Sequence, residues 1–147
     1  MSTTGLEGID HTVQVTHSWI NDLDSALGWQ NKKRTYRLLR SVLQAIRDWL
    51  PTNEMADFAA QLPELLRGAY YEHWRPATTP VAHRKRADFL ARIDEAFAND
   101  PLAFTPDLVS TVFVFLSDKI SRGEIKDVRH ALPADLRELW PVSPRAA

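Results

Sequence analysis

A chain of 147 residues with 44% hydrophobic and 25% charged side chains has the composition of an ordinary soluble globular protein. Its formal net charge of −1 provides no bulk attraction toward nucleic acid or an anionic membrane. The absence of cysteine excludes disulfides, iron–sulfur clusters and thiolate nucleophiles, and fits a reducing compartment.

Residues 1–10 read as a loose polar tail with no signal-peptide pattern, so a cytoplasmic location is expected. From about Thr12 to Leu27, the residues Val13, Thr16, Trp19, Ile20, Leu23 and Leu27 recur three and four apart, the stripe of an amphipathic helix. Gly28 stands where a left-handed helix end belongs. A second helix, about Lys32 to Leu50, carries Leu38, Leu39, Val42, Leu43, Ile46, Trp49 and Leu50 on its apolar face and stops at Pro51. A short third helix, about Asn53 to Gln61, turns Met55, Phe58 and Ala59 inward, and Pro63 opens a fourth that runs to about His73. Residues 75–80, with Pro76 and Pro80, form a connector.

The second half repeats the plan. Helices are expected over about Val81 to Ala98, Thr105 to Ile120, a short segment capped by Ser121 and Glu124, and Pro133 to Trp140. Thr105 reads as the cap of the sixth helix, with Pro106 as its first residue. Val112, Phe113, Val114 and Phe115 favour a strand locally, but their counterparts Val42 to Ala45 lie in a clear helix, and helix is expected at both places. Residues 141–147 read as a second tail.

The correspondence between halves keeps one register. Leu62-Pro63 and Leu66-Arg67 recur as Leu132-Pro133 and Leu136-Arg137, and Glu54, Asp57, Asp24 and Thr35 as Glu124, Asp127, Asp94 and Thr105, always 70 positions later. Matched apolar residues and helix punctuation are what two copies of one packing unit share. The expected fold is all-α: about eight helices in two tandem four-helix repeats, about 12–74 and about 82–140, related by an approximate two-fold axis. Each repeat alone would be marginal, so one fused core within a single domain is expected.

The segment from Phe58 to Glu72, containing Ala60-Gln61-Leu62-Pro63, Arg67-Gly68 and Tyr70-Tyr71-Glu72, followed by Trp74 and Pro76, resembles the signature of a bacterial family known as domain of unknown function 2267. Gly28-Trp29 and Phe89-Leu90 extend the resemblance to about Val13 to Trp140. It implies an all-helical cytoplasmic protein and no particular activity. Members commonly carry Gly between the Glu and the Trp; His73 stands there in this chain, and a non-Gly residue favours a helix that runs on over a left-handed turn.

No catalytic constellation is visible. The five histidines, His11, His17, His73, His83 and His130, show no metal-ligand spacing, the five glycines form no phosphate loop, and no serine elbow occurs. Neither a metal nor a cofactor is expected. Glu54, Asp57, Glu124 and Asp127 sit at helix starts, where they oppose the macrodipole. The densest polar-aromatic group is Arg67, Tyr70, Tyr71, Glu72 and Trp74, which reads either as a protein-contact surface or as rings closing the seam between repeats. The function expected is a small interaction or regulatory module without catalysis, with a protein partner. The alternative is nucleic-acid binding through the basic face Lys32, Lys33, Arg34, Arg37, Arg40 and Arg47 with the run His83-Arg84-Lys85-Arg86; the competing view of that face is a solvated helix surface.

Overall fold

The computed structural model describes residues 5–82 and 84–142. Among these residues there are eight α-helices and no strand: α1 (Glu7–Leu27), α2 (Lys32–Trp49), α3 (Thr52–Ala59), α4 (Glu64–Tyr71), α5 (Arg86–Ala96), α6 (Thr105–Lys119), α7 (Arg122–Ala131) and α8 (Ala134–Arg137), with a short 3-10 turn at Pro76–Thr78. The β-branched and aromatic run Val112 to Phe115 is helical within α6. Tertiary packing overrides its strand propensity, because Val112, Phe113, Phe115 and Leu116 all point into the core.

Sequence punctuation sets most helix ends. Gly28 takes φ 68° and closes α1 with an N–H bond to the Asp24 carbonyl. Asn31 Oδ1 accepts from the Arg34 N–H at the start of α2, and Ser121 Oγ accepts from the Glu124 N–H at the start of α7. Pro63 and Pro133 stand just before α4 and α8 with φ of −55° and −56°.

Four expectations are corrected. Residues 7–11 are helical, so α1 starts a turn and a half before Thr12. α5 starts at Arg86 and not Val81, whose N–H donates across the chain to the Asp48 carbonyl instead of belonging to a helix. His73 adopts φ 66°, so α4 ends at Tyr71 instead of running on; the left-handed turn is imposed although no glycine is present. Thr105 does not cap α6, since its hydroxyl is spent on the Asp94 carboxylate.

α2 is the centre of the molecule and packs on α1, α4 and α5. Its residues Leu38, Leu39, Val42, Leu43, Ala45 and Ile46 are fully buried, which follows from an apolar stripe wide enough to meet helices on several sides. A run of rings carries the core from the first half into the second. Trp49 meets Phe89 edge to face at 5.4 Å, Phe89 meets Phe113 at 6.0 Å, and Phe113 stacks on Trp140 at 4.2 Å. Buried side chains from both halves thus form one contiguous cluster. Some polar contacts recur 70 positions apart: Thr35 bonds to Asp24 as Thr105 does to Asp94, and Arg67 and Arg137 each reach back to the carbonyls of the preceding helix end. Among the described residues no helix is long and apolar enough to cross a membrane.

Candidate functional site

The polar-aromatic segment splits between core and surface. Tyr70 is fully buried and its hydroxyl donates to the Met55 carbonyl at 2.9 Å. Burial pushes that phenol well above its ordinary pKa. Tyr71 and Trp74 are half-buried and follow Tyr70 ring to ring at 5.4 and 5.8 Å. Arg67 turns back onto its own chain and donates to the Ala59 and Leu62 carbonyls at 3.0 and 2.9 Å. Glu72 is exposed beside His73. These five residues therefore share no single open surface.

The basic face of α2 is also divided. Arg47 is 2% exposed and locked by the Asp48 carboxylate at 2.8 Å and by the Tyr70 and Glu72 carbonyls. It faces inward because α4 packs on that side of α2. Asp48 in turn pairs with Arg92. Arg34 pairs with Asp100 at 2.7 Å and lies over the Trp29 ring, and Arg37 reaches the same carboxylate at 3.8 Å. Lys32 and Lys33 are exposed and Arg40 is half-buried. Of the second basic run, His83 lies outside the described residues, Arg84 donates to the Trp49 and Ala131 carbonyls, and Arg86 pairs loosely with Glu138 at 3.7 Å.

Two arrangements emerge that the linear sequence did not single out. The first is at the α3–α7 contact. Glu54 and Glu124 each lie in the first turn of a helix, as expected for carboxylates opposing a dipole. Yet the packing brings Glu54, Glu124 and Asp127 together, with carboxylate oxygens all within 4.8 Å of one another. One oxygen of each glutamate is shut off from water and receives no hydrogen bond from a protein donor. Burial, then the contact with Glu54 and the charges of Asp57 and Asp127, push the Glu124 carboxyl up to about 8. Hard oxygen ligands at such spacing suit Ca²⁺ or Mg²⁺, but a single proton satisfies the same pair.

The second is a cavity of about 510 Å³ along α7. Helical spacing places Arg122, Lys126 and Arg129 four and three apart on one face of that helix, with His130 beside them. Buried Ile120 and Ile125 form the floor, the end of α6 supplies Ser117 and Asp118 as one wall, and Pro141 and Val142 supply the other. Arg129 Nε donates to the Trp140 carbonyl at 3.2 Å, which fixes its side chain against the wall. Arg122, Lys126 and Asp118 have no ion-pair or hydrogen-bonding side-chain partner among the described residues. The halves diverge at these positions. Where the second half has Ser117, Arg122, Lys126, Arg129 and His130, the first has Arg47, Thr52, Ala56, Ala59 and Ala60. The long Arg47 side chain is consumed internally, whereas Ser117 is small and its hydroxyl accepts from Trp140 Nε1 at 2.8 Å, leaving the space above it open. Three cations against one carboxylate make this the concave surface with free positive charge.

The fold and these sites define a small all-helical protein. The chain belongs to the family described as uncharacterized conserved protein (DUF2267), whose sequence model matches residues 16–139. The match spans the helices from the second half of α1 through α8 and agrees with the resemblance carried by Phe58 to Glu72, Trp74 and Pro76. No curated protein matches the chain.

Proposed function

We propose that the protein is a non-catalytic interaction module that holds an acidic segment of a partner protein in the α7 cavity. The observation that carries this reading is the pairing of two unengaged cations, Arg122 and Lys126, with a partly fixed Arg129 around an apolar floor. Guanidinium and ammonium donors form charge-assisted bonds to a carboxylate, and the buried isoleucines beneath favour an apolar neighbour of that carboxylate. A short acidic segment of one or two carboxylates fits better than a polyanion. Asp118 stands at the rim, and Glu124 and Asp127 occupy the other side of α7, so an extended phosphate backbone meets repulsion on both flanks. The α2 face offers nucleic acid less than its sequence suggested, since Arg47 is buried and Arg34 and Arg37 share Asp100.

The test is a fluorescence-anisotropy titration with a labelled peptide bearing an Asp-Glu pair beside a leucine, and with its Asn-Gln analogue. The acidic peptide should bind, weaken steadily as salt rises, and lose at least tenfold in affinity to the Arg122→Glu, Lys126→Glu double variant. Equal binding of both peptides, or unchanged binding by the double variant, would refute the assignment. A short DNA duplex that displaces the peptide would favour the nucleic-acid alternative.

A further inference from the structure

The α3–α7 contact joins the two halves through like charges. Glu54 opens α3 and Glu124 opens α7, and each turns an oxygen into the contact where neither water nor a protein donor reaches it. Two ionised carboxylates cannot rest there without a hydrogen between them, because each desolvated oxygen would face its own kind. We propose that Glu54 and Glu124 share one proton, so that the α3–α7 contact is a proton-operated clasp between the two halves of the chain. With the proton held, one carboxyl donates to the other carboxylate and the helices close. When it leaves to solvent, two negative charges face each other and the contact loosens.

Among the described residues the surroundings supply no other neutralising group. Asp57 on α3 and Asp127 on α7 add negative charge, which strengthens the hold on the proton. Tyr70 on α4 faces the pair, but its hydroxyl is committed to the Met55 carbonyl. On α2, Arg47 is closed onto Asp48; at the end of α6, Lys119 pairs with Asp22 at 2.6 Å; on α8, Arg137 is turned onto the carbonyls of Arg129, His130 and Leu132. Arg122 and Lys126 are two residues from Glu124 on α7, about 200° round the helix, and line the cavity instead. Gln61, near the end of α3, bridges to the same junction by accepting the Ser121 N–H at 3.2 Å, a neutral bond that is independent of pH.

The direction of the linkage follows. The folded state binds this proton more tightly than the unfolded chain, whose glutamate titrates near 4.5, while the folded carboxyl titrates near 8. The contribution to stability is complete below the lower value, falls as pH rises between the two, and is gone above about 8. One linked proton changes the unfolding equilibrium constant by up to about tenfold per pH unit in that window.

The experiment follows the full chain by urea unfolding from about pH 5 to about pH 9, for the native sequence and for Glu54→Gln and Glu124→Gln, with the protonated-carboxyl infrared band recorded on the folded proteins. The native chain should keep a protonated-carboxyl band at neutral pH and lose stability across the upper half of the range. Each Gln variant should lose the band and show a flatter pH dependence. Absence of the band in the native protein at neutral pH overturns the clasp without any reference to the variants, and so does an unchanged pH slope in both Gln variants. A parallel arm adds Ca²⁺ or Mg²⁺ at neutral pH. Loss of the band together with a raised melting temperature would show that a cation occupies the contact, and would also overturn it.

Discussion

Truncating Tyr70 tests most directly whether the aromatic segment closes the core or serves a partner. The ring is fully buried, lies edge to face with Phe58 at 5.7 Å and with Tyr71 at 5.4 Å, and its hydroxyl bonds to the Met55 carbonyl across the α3–α4 junction. Tyr70→Ala removes a large buried ring, which costs about 3–5 kcal/mol, and the hydrogen bond of its hydroxyl to the Met55 carbonyl, about 1 kcal/mol. For a chain of this size each kcal/mol lowers the melting temperature by about 3–4 °C, so the variant should melt roughly 12–24 °C below the native protein. Tyr70→Phe keeps the ring packing and loses only the hydrogen bond, with an expected drop of about 3–6 °C. Thermal denaturation followed by circular dichroism at a fixed pH gives both values. If Tyr70→Ala melts within about 2 °C of the native chain, the assignment of the ring to the core is wrong. If the Phe variant is as damaging as the Ala variant, packing is not what the ring contributes.

Arg137→Ala should cost about 1–3 kcal/mol, because it leaves the Arg129, His130 and Leu132 carbonyls without that donor, whereas Arg67→Ala should cost about 1 kcal/mol, because the Ala59 carbonyl keeps the Leu62 N–H and only the Leu62 carbonyl is stranded. The urea midpoint should therefore move further for Arg137→Ala, and the reverse order would refute this account. Leu62→Ala should lose about 2–5 kcal/mol, the residue being 2% exposed, whereas Pro63→Ala just beyond it should lose at most about 1 kcal/mol. His73→Gly should raise stability by about 1 kcal/mol by relieving an L-residue at φ 66°, and a lower melting temperature for this variant would refute that account.

Helices were legible in the residues because their causes are local. Apolar spacing of three and four, Gly28, Asn31, Ser121 and the two prolines act within a few positions of themselves, and the structure follows them to within a turn or two. The exceptions are places where distant groups intervened. Val81 is held by the Asp48 carbonyl, Thr105 by Asp94, and His73 by the turn that must bring the chain back after Tyr71. The family was legible too, since Phe58 to Glu72 is a run of contiguous residues.

The candidate sites were not legible, because each depends on which face of a helix is covered. Arg47 and Arg37 belong to one basic face by spacing, yet α4 packs over one and leaves the other in water. The free charge of Arg122 and Lys126 depends on Ser117 leaving room that Arg47 fills in the first half, a comparison of volumes that hydropathy does not record. Glu54 and Glu124 each look like a dipole-opposing residue at a helix start, and their repetition showed only that the pattern occurs twice. Residues 70 positions apart become a single titrating pair only when α3 is packed on α7, since the Coulomb and desolvation energies that join them vanish in the extended chain.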